Sequence, residues 1–363
     1  MDRTKRLAGV LTESGTSAFF ATAAPTMRYL AGLAEEGGMR LLTCAFSAQG
    51  ATRFIGPSLS ANQAQRANLS DVRAWNDGVG PDELVKELAA DWGLAGTTVA
   101  VDNETRAEHL LHLQELMPDT RFVAGRPLIS RLMRQKDAAE LDALRRAAKI
   151  ADEAMEPVLA SLRPGLTESD VAHMLSEEMK KRGGHPHFGI VATGPHGAEP
   201  HHETGNSRLE RGHLVIMDYG CTVDGYLSDT TRTVALGSAT DAQREAYAVV
   251  AKAHYAARAA IRPAATCGSV DDAARGAIAS AGLGEFFVHR TGHGIGLRIH
   301  EEPFIVGGSE VPLVVGDCFS IEPGVYVPGE FGVRIENIVT VTEDGHESLN
   351  ADPVSELRLV PFD

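Results

Sequence analysis

A chain of 363 residues is long enough for two domains, and 43% hydrophobic against 23% charged residues is the balance of an ordinary globular protein. With 34 basic and 49 acidic residues the formal charge is −15, which speaks against a nucleic-acid-binding surface. The N-terminal MDRTKRLAGVLTESG lacks the apolar core of a signal peptide, and no apolar run reaches the roughly 20 residues of a membrane span. A cytoplasmic protein with no membrane or nucleic-acid partner is therefore expected.

Asp2 to Ser14 has the spacing of an amphipathic helix, with Leu7, Val10 and Leu11 on one side, and Ala18 to Thr22 reads as a strand. Met39 to Phe46 and Thr52 to Ile55 are further strands, and Ala61 to Ala67 is helical. Gly80-Pro81-Asp82 opens a helix from Glu83 to Trp92. Thr97 to Val101 and Arg106 to Leu116 repeat strand then helix. This alternation predicts a small α/β domain over residues 1–130, with Phe122 to Ser130 as the connection to a second domain over 131–363. His109 and His112 are read as solvated. Cys44, Cys221, Cys267 and Cys318 form no CxxC pair and are read as reduced packing residues.

From Lys136 a helix with i, i+3, i+4 spacing runs through Leu141, Leu144, Ala147 and Ile150 toward Leu159, and Pro164-Gly165 ends it. Thr167 and Asp170 cap a second helix to Arg182, and a strand lies near Gly189 to Thr193. Leu214 to Met217 is a short apolar strand ending on Asp218. Tyr219-Gly220 and Asp224-Gly225 supply turns, and a second strand from Tyr226 to Val234 carries Asp229. The order then recurs. Asp241 to Ile261 and Ser269 to Ala281 are helices, Phe286 to His289 begins a strand segment, and Cys318 to Val341 is another acidic hairpin holding Glu322 and Glu336, with turns at Pro323-Gly324 and Pro328-Gly329. Two related halves across a pseudo-twofold axis are expected.

One acid beside a strand is ordinarily a solvated turn residue. Four acids in two matching hairpins, with the segment HRTGHGIGLRIHEEP from His289 between them, demand a common cause. Carboxylates forced together repel unless a cation separates them. Four carboxylates and one imidazole, His293 between two glycines, suit two divalent ions of a hydrolase, with manganese, cobalt or zinc fitting one nitrogen among oxygens. A hydroxide between such ions is a strong nucleophile for a peptide carbonyl. Arg334, two residues before Glu336 on the same strand face, is placed to hold a carboxylate ligand. His185, His187, His196, His202, His213, His254 and His346 are read as surface or loop residues.

Five ordered segments, ATGPHGAEPH (Ala192 to His201), MDYGCTVDGYLSDTTRT, HRTGHGIGLRIHEEP, SIEPGVY and GVRIEN, resemble the pita-bread metallopeptidases. The likeness covers roughly Arg134 to the end and is closer to the branch of prolidases and aminopeptidases P. TMRYLAGL (Thr26 to Leu33) also resembles that branch's N-terminal domain, with Thr26 in place of its usual Asn, and Arg298 stands where the branch more often has an Asp. The resemblance implies a creatinase/prolidase-type α/β domain followed by an α+β pita-bread domain. It implies Asp218, Asp229, His293, Glu322 and Glu336 as ligands of two divalent ions, manganese first, with Asp229 and Glu336 bridging. It implies His201, His289 and His300 at the substrate, His300 for the oxyanion and Glu322 as a proton relay. It further implies a homodimer acting on short Xaa-Pro peptides.

Prolidase, an Xaa-Pro dipeptidase, is the favoured expectation, with Arg298 or Arg53 binding the proline carboxylate. The alternative is an aminopeptidase P acting on longer Xaa-Pro peptides. Methionine aminopeptidases share the fold but usually lack the N-terminal domain, and an inactive binding or scaffold relative would have lost ligands that are all present here.

Overall fold

The computed structural model describes residues 2–67, 69 and 71–363, and the chain divides into two compact units between Met133 and Arg134. The N-terminal unit runs α1 (Arg3–Glu13), β1 (Ala18–Ala21), α2 (Ala24–Ala31), β2 (Thr43–Ser47), β3 (Thr52–Pro57), α3 (Ala61–Arg66), β4 (Val72–Trp75), α4 (Asp82–Asp91), β5 (Thr98–Val101), α5 (Ala107–Leu116), β6 (Arg121–Ala124) and α6 (Arg126–Met133). Its six strands form one mixed sheet in the order β4-β3-β2-β1-β5-β6. The expected connection at 122–130 is thus an edge strand and a helix, whose Ile129, Leu132 and Met133 are buried. The strand expected from Met39 starts only at Thr43, and Met39 itself is exposed. His109 is buried against the Gly38 carbonyl rather than solvated.

Arg53 sits on β3 with 8% of its side chain exposed. Its Nε lies 2.5 Å from Asp71 and its Nη2 2.8 Å from Asp91. These ion pairs tie the sheet to α4 and engage the Arg53 guanidinium within this unit.

The second unit opens with α7 (Ala138–Leu159) and α8 (Glu168–Lys181), each started by a complete capping box, Asp137 with Glu140 and Thr167 with Asp170. They pack on β7 (His185–Thr193), β8 (Leu214–Val223), β9 (Tyr226–Leu227) and β10 (Thr230–Leu236) around one core that includes Ala151, Val171, Leu175 and Met217. The second half repeats the plan with α9 (Asp241–Ala260) and α10 (Cys267–Ser280). Here β11 (Gly292–Gly294) runs between β12 (Glu301–Ile305) and β13 (Cys318–Ile321), and the helices' core partners come from β12, β13, β14 (Gly324–Val327), β15 (Phe331–Arg334) and β16 (Asn337–Thr342), with β17 (Gly345–Ser348) at the edge. Three sheets result among the described residues, in the orders β18-β10-β8-β7, β12-β11-β13-β16-β17 and β14-β15, where β18 is Arg358–Val360 and β9 hangs on β8.

Three local expectations fail for identifiable reasons. Tyr219-Gly220 is no turn: β8 continues to Val223, and Gly220 is there because a Cβ would run into the Ser228 carbonyl oxygen. Pro323-Gly324 likewise leads straight into β14, which pairs with β15, while β13 pairs with β16. Phe286 to His289 is a 3-10 turn and loop rather than a strand. The four cysteines are free and buried, as expected. No helix among the described residues is long and apolar enough to cross a membrane.

Candidate metal centre and active-site cavity

Asp218 lies in mid-β8 opposite Thr231, and Asp229 precedes β10. Glu322 follows β13 and Glu336 precedes β16, beyond the last pair of that ladder, Ile321 with Asn337. His293 is the centre of β11. The glycines beside it are obligatory, since a Cβ on Gly292 would strike the Ser320 carbonyl and one on Gly294 the Glu302 backbone. The loop before β11 is held by α10: fully buried Asp271 accepts from the Thr291 amide (3.0 Å) and hydroxyl (2.8 Å), and Arg275 donates to the His289 carbonyl (2.9 Å).

All five residues line one cavity of about 570 Å³, together with His201, His289 and His300. His293 Nε2 lies 3.3 Å from Glu322 Oε1 and 3.6 Å from Asp229 Oδ2. Its Nδ1 is 3.1 Å from the Gly294 carbonyl, so Nδ1 carries the proton and Nε2 presents its lone pair to the acids. Burial lowers this imidazole to about 3, which keeps it neutral. Burial and then the neighbouring charges of Glu336, Asp218 and Glu322 push Asp229 well above the carboxylate range, and Glu336 moves the same way through burial, Glu322 and Asp218. Glu322 rises to about 7, chiefly by burial.

Two carboxylate oxygens here, Asp218 Oδ1 and Glu336 Oε1, are buried without a hydrogen-bond partner. Asp229, His293 and Glu336 offer ligand atoms all within 4.8 Å of one another. Repelling acids, orphaned oxygens and a neutral imidazole lone pair are the surroundings a divalent cation satisfies. The residues present therefore fit a metal centre.

Around it, Arg334 Nη2 donates to Asp218 Oδ2 (2.7 Å) and Nη1 to Tyr326 Oη (2.9 Å). His289 donates from Nδ1 to the Arg290 carbonyl (2.7 Å), leaving Nε2 to accept from Tyr326 (2.9 Å). Both nitrogens of His289 are thus hydrogen-bonded within the protein, while the ring remains part of the cavity wall. Thr231 donates to Glu336 Oε2 (2.7 Å) and Ser320 to Glu322 Oε1 (3.0 Å). Arg298 does not line the cavity. Arg290 does, along with His187, Phe188, Ile190, Ile299 and Pro200.

Arg290 and Tyr326 carry no role expected from the sequence, and His187, expected at the surface or in a loop, lines the cavity. The first two stand inside the motifs HRTGHGIG and SIEPGVY, but only the fold tells that Arg290 turns into the cavity while Tyr326 is buried against His289 and Arg334. His254 is fully buried rather than on the surface.

A model of metallopeptidase family M24 matches residues 142–343, more than half of the chain. The chain belongs to that family. In this M24 peptidase the N-terminal unit matches the creatinase/prolidase N-terminal domain over residues 3–134. It is 41% identical over 360 residues to a probable dipeptidase PepE of Mycobacterium tuberculosis, covering 98% of this chain and 95% of the relative. It is 33% identical to the Xaa-Pro dipeptidase of Lactobacillus helveticus, with 93% of each chain covered. Its fold superposes on the crystal structure of dipeptidase PepE from Mycobacterium ulcerans with a TM-score of 0.93 at 40% identity, covering 99% and 97% of the two chains. The expected fold class, a creatinase/prolidase-type domain before an M24 catalytic domain, stands.

Proposed function

We propose that this M24 peptidase is an Xaa-Pro dipeptidase that holds two divalent ions, manganese first, on Asp218, Asp229, His293, Glu322 and Glu336. The oxygen-rich donor set with one imidazole supports manganese over softer ions, zinc and cobalt being the alternatives. When bound, such ions supply Lewis acidity and acidify water toward neutral pH.

The protein's own residues do the rest. His201 and His300, at the cavity wall, orient the scissile carbonyl and stabilise its developing negative charge. Glu322, whose Oε2 accepts no hydrogen bond from the described residues, takes a proton from the attacking water as its oxygen bonds to the carbonyl carbon, and delivers it to the departing proline nitrogen as the C–N bond breaks.

The observation that carries the dipeptide reading is Arg290. Its guanidinium reaches the same cavity, stacks over the Phe304 ring at 4.8 Å, and makes no hydrogen bond or ion pair among the described residues. A half-buried cation left unpaired beside a metal centre suits the carboxylate that ends a dipeptide. On the manganese-loaded enzyme, kcat/KM should be higher for Ala-Pro than for Ala-Pro-Gly. Arg290→Ala should lower the Ala-Pro value roughly 10- to 100-fold, as expected for a lost charge-assisted bond, and leave the tripeptide value nearly unchanged. A wild-type preference for the tripeptide would establish the aminopeptidase P alternative instead.

Four free, buried cysteines suit a reducing compartment, which supports a cytoplasmic setting. The homodimer implied by the resemblance is checked by analytical ultracentrifugation.

A further inference from the structure

We propose that Glu168 is a positioning residue for the loop that carries His201, acting through His196 and His202. Glu168 is the first residue of α8, and its side chain is wholly buried. Its Oε1 accepts from the Thr193 amide and from His196 Nδ1, both at 2.9 Å. Its Oε2 accepts from His202 Nε2 at 2.9 Å and from the Gly205 amide at 3.1 Å. Four donors from one continuous segment, the end of β7 through Gly205, thus converge on one carboxylate. His201 and Pro200, which line the cavity, fall between the two histidine arms.

The arms reinforce each other, because the rings of His196 and His202 stack with centroids 4.4 Å apart. On its other side the segment rests on β15. A Cβ on Gly332 would collide with the Gly197 carbonyl oxygen, and Arg334 Nη1 reaches the Pro200 carbonyl at 3.4 Å. The backbone on both flanks of His201 is therefore pinned, and the imidazole is offered to the cavity from a fixed base.

Only a carboxylate fills this position. Each oxygen takes one backbone N–H, which cannot reverse its polarity, so the NH2 of a glutamine would face either Thr193 or Gly205 donor to donor. Burial pushes the Glu168 pKa up, but the bonds from His202, Thr193, His196 and Gly205 outweigh it and hold the group below the ordinary glutamate range. Its place at the start of α8 adds the favourable end of the helix dipole. The three side chains are also close enough to chelate a cation. Their hydrogen bonds already satisfy one another, however, and none has a buried polar atom left without a partner.

This assignment rests on the peptidase reading only through the role of His201, so the test has two arms on the full-length protein. Amide hydrogen exchange compares wild type with Glu168→Gln and His196→Ala; the second removes one arm at a residue whose side chain is 40% exposed, where folding is safe. Exchange over 193–205 should quicken in both variants while β8 stays protected. Unchanged exchange in Glu168→Gln overturns the clamp whether or not the enzyme cleaves Xaa-Pro peptides. In the second arm, kcat/KM on Ala-Pro is measured for Glu168→Gln, His201→Ala and the double variant. Each single change should cost roughly 10- to 100-fold, the scale of a misplaced catalytic group, and the double variant should lose no more than His201→Ala alone. Multiplicative losses overturn the proposal, as does a third equivalent of bound zinc that disappears in His196→Ala.

Discussion

Arg334 is buried with its guanidinium divided among Asp218, Tyr326 and Thr231, and these anionic and polar partners hold its charge firmly on. Alternation along the strand was enough to foresee that it would face one of the cavity's carboxylates. Which carboxylate was decided by β15 packing against β8, a contact between the two halves. Arg334→Met leaves Asp218 buried and unpaired, so denaturant titration of the metal-free protein should show a loss of about 3–5 kcal/mol. Arg290 shows the opposite case. Sequence spacing alone made Arg298 and Arg53 equally good anchors for a carboxylate, and nothing but the turn of the chain before Gly292 brings Arg290 to the cavity instead. An arginine's reach exceeds the spacing between neighbouring residues, so a motif does not say where its guanidinium ends.

The elements that were most legible are the long amphipathic helices with explicit caps. Thr167 with Asp170 starts α8 where the sequence says it should, since a side chain three residues away satisfies the free amides locally. Glycines were harder to read. Gly220 looks like turn chemistry but marks close approach to the Ser228 carbonyl, and Gly292 does the same against Ser320. Turn and close approach both exclude a Cβ, and only the partner strand distinguishes them. Gly292→Ala should force β11 from β13 and lower stability by about 1–3 kcal/mol, the scale of an overpacked core, with an accompanying loss of metal affinity because His293 moves with the strand. Thermal melts with and without manganese, and a metal titration by calorimetry, measure the two effects separately.

Of the molecule's two units, the second has two cores, each a helix pair on a sheet, that bring four acids and one histidine to a single cavity. In the metal-free protein this crowding favours the protonated form of some of these acids. Glu322, at 4.5 when unperturbed, stands near 7 in the fold, and Asp229 and Glu336 shift the same way. A carboxyl raised by folding adds stability below its ordinary pKa and loses it as pH rises through the folded value. The Tm of chelated protein should therefore fall as pH rises from 4.5 through about 7, and saturating manganese should abolish that fall. A chelated protein whose Tm rises over this window would contradict the crowding of charge described above.

The sequence by itself determined the helices, the two acidic hairpins, their repetition and the five side chains that meet in one cavity, because caps, periodicity and motif order are properties of neighbouring residues. Only the tertiary structure decided that Arg290 rather than Arg298 enters the cavity, that His289 hydrogen-bonds Tyr326 at its wall, and that Glu168 gathers His196 and His202. Each of those outcomes is a contact between segments far apart in the chain. Such contacts depend on how elements pack, and local pattern carries no record of that.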